Sequence, residues 1–440
     1  MERSFIQEIF DKGKEEKVLV QGFVHEIRNQ SKIKFILVRD FTGIIQCVAF
    51  KGETDEKVLE GIAKIPRESV IEILGKVKKS KQAPGGFEIV IEGYNVFTEA
   101  EDIPIHVVEK QEEADLSKRL DNRCIDLRKP KNRAIFKIQS ALLQGMQEYL
   151  NSQGYIQVFT PSLMGVPSES GSEVFEVKFF GKPAFLRQDP QLHRQLAILG
   201  GLEKIYDIGP SWRAEKSHTP RHLTEHRTIA VETAFIKDEH DTMKLEEQVI
   251  IAAIKKVVDT CQKELELLGL NNKIKIPKVP FPEIKFPDVY KILGKKGKEL
   301  YGEDLDREAE KMIWDYVQKK YPGCDFYFFN GFPHKVKPFY VMEGHEDNKE
   351  WARSVDLNFR GMEMSSGGQR EHRYDKLMKN VKEKKQSKES VEWFTKFFKY
   401  GAPPHGGFSI GIERLTAVLL GIENIRETCL FPRDTERLVP

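Results

Sequence analysis

The chain has 440 residues, of which 40% are hydrophobic and 31% are charged, so it can bury more apolar surface than one ordinary domain holds and is expected to form two or three domains. Its 70 basic and 68 acidic side chains leave a net charge of only +2, which excludes binding of a polyanion through the field of the whole molecule and leaves local basic patches. The five cysteines form no CxxC pair, which argues against a disulfide framework or a zinc site and fits a reducing cytoplasm.

The first predicted elements are the strands of a small barrel. The N-terminal "MERSFIQEIFDKGKEEK" is charged throughout, and no apolar run approaches the about 20 residues of a membrane span, so neither a signal peptide nor a membrane anchor is predicted. From residue 18 to residue 97, short β-rich runs are separated by Gly, Asn, Asp and Pro at hairpin intervals. This pattern is typical of an OB-like barrel, a fold that often binds single-stranded nucleic acid.

The charged segment after the barrel predicts a hinge, and the remainder predicts a larger domain. We divide the chain into a barrel domain at 1–103, a hinge at 104–125 and a second domain at 126–440. Apolar residues at helical spacing, closed by Gly154, predict the first helix of the second domain. Further helices are expected at about 242–268 and 306–321. Strands are expected near Phe175, Phe185, Tyr206, Ile229, Tyr327, Tyr340, Leu357 and Phe408. Such an order indicates an α+β domain with a mainly antiparallel sheet.

A hairpin with a polar loop is predicted at residues 211–235. It would bring Arg213 and Glu215 on one arm close to Arg221 and His222, where the loop joins the other arm. The returning strand has one small, polar face, made of Thr228, Ala230, Glu232 and Ala234, and a larger face, made of Ile229, Val231, Thr233 and Phe235. Arginines that converge beside the small face suit a phosphate chain, because guanidinium groups stay charged. A surface hairpin with salt bridges is the alternative.

The stretch "HGGFSIGIERLTAVLLGI" predicts a strand followed by a buried helix. Glycines in the strand allow a close approach of backbones, and apolar residues at helical spacing follow them. Arg414 falls in the first turn of this helix, where the helix dipole disfavours a cation unless an anion is near. Pairing of Arg414 with Glu413 or with another carboxylate is the alternative to a bound anion.

Oxygen ligands are concentrated in "DLNFRGMEMSSGGQREHR". Asp356, Glu363 and Ser366 suit Mg²⁺, which prefers a few protein oxygens together with phosphates and water. Taken alone, such carboxylates are more often merely exposed at the surface.

In this order, these stretches resemble the three motifs of the class II aminoacyl-tRNA synthetases. "YIQVFTP" is similar to the dimer-forming first motif, "WRAE" with "RHLTEH" to the second and "GIGIERL" to the third. "DPQLHRQ", "MEMSSGGQREHR", "YGAPPHGGF" and "LFPRDTERLVP" resemble the aspartyl enzymes of the archaeal and eukaryotic type. The resemblance implies an OB anticodon-binding domain, an antiparallel-sheet catalytic domain, a homodimer in the cytoplasm, and ligation of aspartate to tRNA at the expense of ATP.

The resemblance also implies roles for particular residues. Arg213 would contact the ATP α-phosphate and the aspartate carboxylate, Glu215 the adenine and Arg414 the γ-phosphate; with Glu363, the two arginines would be the catalytic residues. The implied ATP site is completed by Ala214, Arg221, His222, Leu223, Glu363, Gly411, Ile412 and Glu413. The implied Mg²⁺ ligands are Asp356, Glu363 and Ser366. The implied aspartate contacts are Glu169, Gln191, Arg194, Arg213, Ser366 and Arg370, to which we add Asp189 as a hypothesis. In-line attack of a carboxylate on the α-phosphate needs positioning and charge neutralisation more than a base.

Aspartate and asparagine differ in side-chain charge, and two cationic residues in the site would allow the enzyme to distinguish them. Arg370 matches the family's reader of the side-chain carboxylate, and Arg194 stands where aspartyl enzymes usually carry Lys, so an uncharged amide would be poorly compensated. Two positions depart from the family pattern: Asp189 replaces a Ser, and Ala230 replaces an Asp near the substrate ammonium. We hypothesise that Asp189 takes over the ammonium contact. His226 replaces a frequent aromatic residue and can still stack on adenine.

In the barrel, Phe35 and Gln46 match family positions that stack on and hydrogen-bond anticodon bases. Core packing is the alternative for Phe35. His25 and Pro84 match the pattern of relatives that do not discriminate against tRNA-Asn, which implies charging of both tRNA-Asp and tRNA-Asn. Two other functions stay open: a tRNA-binding or regulatory paralogue with altered catalysis, favoured by the Asp189/Ala230 exchange, and an amino-acid-metabolising paralogue, although such relatives typically lack the barrel.

Overall fold

The computed structural model describes residues 1–108, 114–166, 174–216, 219–344 and 350–440. It separates into two compact units, one of residues 1–129 and one of residues 130–440. The first unit therefore contains the segment predicted as a hinge. No helix in the described ranges combines the length and the apolar character that crossing a membrane requires.

The first unit is a closed five-stranded barrel with short helices. Its strands follow the spatial order β1–β2–β3–β5–β4, and β1 closes the barrel on β4. All strand pairs are antiparallel except β3 with β5. Alternate residues such as Ile36 and Cys47 are buried in the barrel core. The elements are α1 Ile6–Lys12, β1 Lys17–Asn29, β2 Ile33–Arg39, β3 Ile44–Phe50, α2 Glu56–Ile62, β4 Val70–Lys79, β5 Phe87–Thr98, α3 Leu116–Asp121 and α4 Arg123–Asp126.

The second unit contains an eight-stranded sheet, a three-stranded sheet and the long helices. Its elements are α5 Pro130–Ser152, β6 Ile156–Val158, β7 Leu163–Met164, β8 Glu176–Phe179, β9 Lys182–Leu186, α6 Gln191–Leu199, β10 Lys204–Trp212, β11 Glu225–Ala234, α7 Glu239–Thr260, α8 Gln262–Leu267, β12 Glu283–Lys285, α9 Asp288–Leu293, α10 Lys295–Glu299, α11 Arg307–Lys320, β13 Phe326–Asn330, β14 Ser354–Phe359, β15 Met362–Gln369, α12 Tyr374–Glu383, α13 Lys388–Thr395, β16 His405–Gly411 and α14 Ile412–Leu420. The prediction of an OB-like barrel followed by an α+β domain is confirmed.

The large sheet has the strand order β12–β13–β14–β15–β16–β11–β10–β6 and is antiparallel except for the two outermost pairs. Helix α7 packs on one face, against β15 and β16, and α5 packs on α7. The apolar residues of these helices and strands form one core, which includes Ile138, Ile250 and Phe408. Ser365 shows the two-sided character of the sheet, because its hydroxyl bonds Glu246 of α7 whereas the next residue, Ser366, lines a cavity on the opposite face.

Two local expectations are wrong. No strand forms at Tyr340: this residue lies in a turn, and the following Val341 makes a single bridge to Arg370. Phe235 does not share the apolar face of β11, because the strand ends at Ala234 and Phe235 takes a left-handed backbone conformation with φ of 58°. Both departures occur where the chain leaves the sheet, which periodicity alone does not mark.

Candidate active site

A cavity of about 370 Å³ opens on the sheet face that α7 does not cover. Its walls come from β10, β11, β14, β15 and β16, from the loop after β10 and from the first turn of α14. The proposed site residues that line it are Asp189, Gln191, Arg213, Glu215, Arg221, His222, Leu223, Asp356, Glu363, Ser366, Arg370, Gly411, Glu413 and Arg414. Residues from both ends of the second unit's sequence therefore meet at a single cavity.

One end of the cavity carries Arg213 and Arg414. Arg213 lies 3.6 Å from Glu215, whose other oxygen is 3.7 Å from His222. Arg414 donates to the main-chain carbonyl of Glu363 at 2.8 Å, and the Glu363 carboxylate is 3.9 Å from the same guanidinium. Glu413 instead accepts from the backbone N–H of Arg227. The anion expected near Arg414 is thus Glu363, at a distance that leaves the guanidinium able to bind a second anion.

The opposite wall carries the oxygen atoms suited to a divalent cation. Asp356 is buried, and burial raises its pKa to about 6, although the Lys337 ammonium 3.0 Å away opposes this shift. Its Oδ1 is buried without a hydrogen-bond partner among the described residues. Ser366 stands directly opposite Asp356 in the sheet, and Glu363 is on the same strand as Ser366. An orphaned carboxylate oxygen beside a hydroxyl and a second carboxylate fits a hard cation such as Mg²⁺.

A row of short side chains crosses five strands on this face of the sheet, and three of its members, Asp356, Ser366 and Ser409, line the cavity. In this row, residues that face each other in the register are Asp356, Ser366, Ser409, Ala230 and Asp207. Directly opposed residues project to the same face of a sheet, so the small central members leave space above them. Each end of the row carries an acid: Asp356 bonds Lys337, and Asp207 accepts from Thr160 and lies 3.5 Å from Arg187.

The next row of the sheet holds a buried ion pair. Arg370 donates through Nε to Glu232 at 3.0 Å and through Nη2 to Gln191 and to the Gly407 carbonyl, each at 3.1 Å. Gly407 is required here, because a Cβ would lie 1.9 Å from the Val231 carbonyl and 2.6 Å from the Glu232 carboxylate. Nη1 of Arg370 has no hydrogen-bond partner within the described residues. One edge of the guanidinium is thereby fixed and the other remains for a ligand.

A second arginine lies behind this pair. Arg194 is 1% exposed and donates at 2.8 Å to both Asp189 and Gln191, and Gln191 donates to Glu232 at 2.9 Å. Gln191 therefore accepts from both arginines through one oxygen. Nε and Nη1 of Arg194 are buried without partners in the part of the chain that the structure describes. The group of two arginines, two carboxylates and one amide is balanced in charge and retains free donors for an added carboxylate.

Some proposed residues are not at the cavity surface, and some of its residues were not anticipated. Arg194, Ala214 and Ile412 are described but do not line the cavity, and Glu169 lies outside the described residues. Lys337 was not anticipated: it lines the cavity through a loop in which the sequence pattern indicated a strand. In the sequence, Lys337 is marked only by its position directly before "PFY", and this position does not indicate that its ammonium pairs with Asp356.

Another group of possible metal ligands lies at a separate place. One ligand atom each from His334, Glu343 and Glu383 lies within 4.8 Å of the others. The Lys379 ammonium is already 2.7 Å from Glu343 and 3.5 Å from Glu383. Because both carboxylates share this ammonium, the group is an ion-pair cluster.

The barrel residues lie in the first unit. Phe35 on β2 and Gln46 on β3 alternate with the inward-facing Ile36 and Cys47, so both face outward, and Gln46 donates to Glu88 at 2.9 Å. Phe35 is accordingly not part of the barrel core. His25 is half-buried on β1, and Pro84 is exposed in the short helical turn at 84–86.

Comparisons with known proteins agree on both units. The family model "tRNA synthetases class II (D, K and N)" matches residues 115–435, and the model "OB-fold nucleic acid binding domain" matches residues 18–97. The chain is 42% identical over 438 residues to the aspartate–tRNA(Asp) ligase of Pyrococcus horikoshii, covering 99% of each protein. It is 40% identical over 432 residues to the aspartate–tRNA(Asp/Asn) ligase of Aeropyrum pernix, covering 96% of each. The crystal structure of Pyrococcus horikoshii asparaginyl-tRNA synthetase with asparaginyl-adenylate superposes with a TM-score of 0.91 at 34% identity, covering 100% of both chains.

His226 provides a pH test of this cavity. It lines the cavity, and burial, reinforced by Arg213 and Arg414, lowers its pKa to about 3. Between this value and the ordinary pKa of about 6.5, the unfolded chain binds a proton that the folded chain excludes, so stability falls as the pH falls. From pH 7 to pH 5 the wild-type protein should lose about 1 to 2 kcal/mol more of its unfolding free energy than His226→Phe.

The measurement is urea denaturation followed by tryptophan fluorescence, because all four tryptophans belong to the second unit. Parallel pH dependences for the two proteins would contradict the neutral state of His226.

Proposed function

The chain belongs to the class II tRNA synthetases of the D, K and N group, and we propose from this that it is an aspartate–tRNA ligase that activates aspartate with ATP and transfers it to tRNA. The observation that carries the proposal is that Arg213, Glu363, Arg370 and Arg414 line one cavity. A triphosphate and a small acidic metabolite can lie side by side there, because Arg213 and Arg414 contact other carboxylates of the wall than the buried Arg370 does.

Activation is a positioning reaction in this cavity. Arg213 binds the α-phosphate together with the attacking aspartate carboxylate, and Arg221 and Arg414 bind the distal phosphates. The carboxylate oxygen forms a bond to the α-phosphorus, the bond to the bridging oxygen breaks and pyrophosphate leaves, so no proton transfer is required. Asp356, Glu363 and Ser366 would hold Mg²⁺, and the bound ion would neutralise charge on the phosphates. Neutral His226 offers its ring face to adenine.

Selection of aspartate rests on the buried network. The free Nη1 of Arg370 binds the side-chain carboxylate of the substrate, and Arg194 adds positive potential from behind Gln191. Asparagine would leave these donors without an anion in a buried place, which disfavours it. The structure with asparaginyl-adenylate shares the fold at 34% identity, so the fold alone does not decide between the two amino acids.

We propose that the activated aspartate is transferred to both tRNA-Asp and tRNA-Asn. Phe35 and Gln46 face outward from the barrel and can stack on and hydrogen-bond unpaired bases. His25 and Pro84 support acceptance of both tRNAs through their resemblance to non-discriminating relatives. The relatives bear both kinds of name, tRNA(Asp) and tRNA(Asp/Asn) ligase.

The first prediction from the proposed function concerns the arginines of the phosphate end. Arg213→Ala and Arg414→Ala should each lower aspartate-dependent ATP–pyrophosphate exchange by at least about 100-fold, because each removes a charged donor to the transferring phosphates. The matched control is Arg360→Ala, an exposed arginine of the second unit paired with Asp325, which should stay within about twofold of wild type. Exchange with asparagine in place of aspartate, or no exchange by the wild type, would contradict the proposed function.

The second prediction concerns the acid that receives the substrate ammonium. Asp189 lines the cavity, where both of its oxygens lie 2.8 Å from Nη2 of Arg194 and its side chain is 19% exposed, whereas Ala230 offers only a methyl group. Asp189→Asn should raise KM for aspartate by about tenfold or more. Ala230→Asp should bind aspartate no better, because its carboxylate would directly oppose Asp207 across the strands, and like charges in that position repel. Pyrophosphate exchange at varied aspartate measures both, and a large gain in Ala230→Asp would contradict the assignment to Asp189.

The third prediction concerns self-association. We propose a homodimer formed through the edge strand β6 and its continuation, where Ile156 is 52% and Phe159 is 82% exposed. Light scattering should give the wild type a mass of twice 50.8 kDa, and Phe159→Asp should raise the dimer dissociation constant by about tenfold or more. Phe97→Asp, at an exposed phenylalanine of the first unit, is the control and should remain dimeric. A monomeric wild type would contradict this proposal.

A further inference from the structure

An arginine is buried in the wall of the barrel with its charge fully satisfied. Arg39 is 1% exposed and makes two parallel bonds to Glu68, from Nη1 to Oε1 at 3.1 Å and from Nη2 to Oε2 at 2.8 Å. Arg128 donates to the same Glu68 oxygen at 3.1 Å. The guanidinium groups of Arg39 and Arg128 both lie over the ring of Phe23, at 5.5 and 4.5 Å from its centroid. Such a bidentate, desolvated pair holds its donors in fixed positions.

The second hydrogen of Arg39 Nη1 is directed at His25. Nη1 lies 2.7 Å from Nδ1 of that ring. Arginine has donors and no acceptor, so Nδ1 must be the unprotonated, accepting nitrogen. The proton of a neutral imidazole then has only one place, which is Nε2. The contact therefore fixes the tautomer as well as the orientation of the ring.

The backbone aims His25 outward. Val24 pairs with Val38 and Glu26 pairs with Leu37, so His25 is the extra residue of a β-bulge. Bulges re-aim a side chain and are frequent beside binding sites. Two backbone bonds, from Glu68 N to the Val24 carbonyl at 2.7 Å and from Val24 N to the Ser69 carbonyl at 2.9 Å, tie the carboxylate to this bulge. Glu68 takes a left-handed conformation with φ of 66°, which is unfavourable for a side chain with a Cβ and indicates a position fixed by its surroundings.

His25 is thereby kept neutral. Burial lowers its pKa, and Arg39 and Arg67 lower it further, whereas Glu68 and Glu26 act in the opposite direction. Protonation of Nδ1 would break the bond from Arg39 and set two cations 2.7 Å apart. Nε2 has no hydrogen-bond partner in the described part of the chain. The ring presents a single N–H donor of fixed direction.

We infer that Arg39 and Glu68 are positioning residues that hold His25 with its proton on Nε2, and that this N–H binds a hydrogen-bond acceptor on an unpaired base of the tRNA. The inference rests on the proposed function. Every base edge offers a carbonyl oxygen or a ring nitrogen as acceptor, so one uncharged donor is satisfied by more than one base. This chemistry suits an enzyme that accepts two tRNAs, and the acceptor should be one that both tRNAs offer.

Two substitutions of His25 distinguish the role of Nε2, the proposed donor, from the role of Nδ1, which accepts from Arg39. His25→Asn keeps an oxygen near the position of Nδ1 but has no atom at the position of Nε2, whereas His25→Gln can place an amide N–H there. In aminoacylation with tRNA-Asp and tRNA-Asn transcripts, His25→Asn should raise KM for each tRNA by about tenfold or more with kcat unchanged, and His25→Gln should stay within about threefold. Equal KM values for the two variants would overturn the assignment of the donor.

A pH profile tests the positioning role of Arg39. Arg39→Met removes the cation beside Nδ1, and Glu68 keeps a partner in Arg128, so the barrel retains a paired carboxylate. His25 then titrates under Glu68 and Glu26, and KM for tRNA should be at least about threefold lower at pH 5.5 than at pH 8, relative to wild type at the same pH values. A KM shifted by the same factor at every pH would mean that Arg39 is merely structural and would overturn its role.

Aspartate-dependent ATP–pyrophosphate exchange serves as the internal control, because it requires the second unit and no tRNA. It should be unchanged in all three variants. Absence of exchange in the wild type would defeat the proposed function itself, whereas normal exchange and charging with a wild-type KM in His25→Asn would defeat only the present inference.

Discussion

The ion pair of Arg370 with Glu232 is the interaction on which the amino-acid end of the cavity depends. Both side chains are buried, and a buried charge is tolerated only with close, well-oriented partners. The strand glycines make this possible, because Gly407 brings a backbone carbonyl under the guanidinium where any larger residue would collide. Once one edge of Arg370 is anchored to Glu232, Gln191 is drawn in as an acceptor, and Gln191 in turn fixes Arg194 and, through it, Asp189. A single pair thus orders the donors that an acidic ligand meets.

A similar buried arginine–glutamate pair, Arg39 with Glu68, occurs in the barrel. In both units a buried arginine is held by a glutamate and also donates to a neutral side chain, which is Gln191 for Arg370 and His25 for Arg39. A neutral intermediary converts the strong but undirected attraction of a charge into a hydrogen bond of defined direction. Specificity then depends on geometry, which salt screens much less than it screens exposed charges.

Much of this arrangement could be predicted from the sequence, and the missing parts share a physical cause. The hairpin of β10 and β11 was predictable because strand alternation and a polar loop are local signals, and the helical stripe after Gly411 marked α14. Lys337 could not be found, because its loop is fixed by contacts with Asp356, which is 19 residues away and on a strand. Arg194 was predicted to contact the ligand, yet it lies behind Gln191; the depth of a side chain depends on packing between α6 and the sheet, and spacing does not record it. The sequence also did not indicate that the orientation of His25 is fixed, because this depends on Arg39 and Glu68 from two other segments.

The two ends of the cavity differ in how tightly their charges are paired, and this difference follows from exposure. At the phosphate end, Arg213 and Arg414 are partly exposed and lie 3.6 and 3.9 Å from their carboxylates, beyond hydrogen-bond distance. Water solvates both partners, so exchanging a carboxylate for a phosphate oxygen costs little. Burial raises the pKa of Glu310, close to Glu363, to about 7, which limits the negative charge that an incoming triphosphate must face. At the amino-acid end the bonds are 2.8 to 3.1 Å and buried, so a wrong ligand cannot be accommodated by rearranging them. The phosphate end can therefore adapt to a ligand that is recognised by its many charges. The amino-acid end is rigid and suits a ligand that is recognised by a single charge.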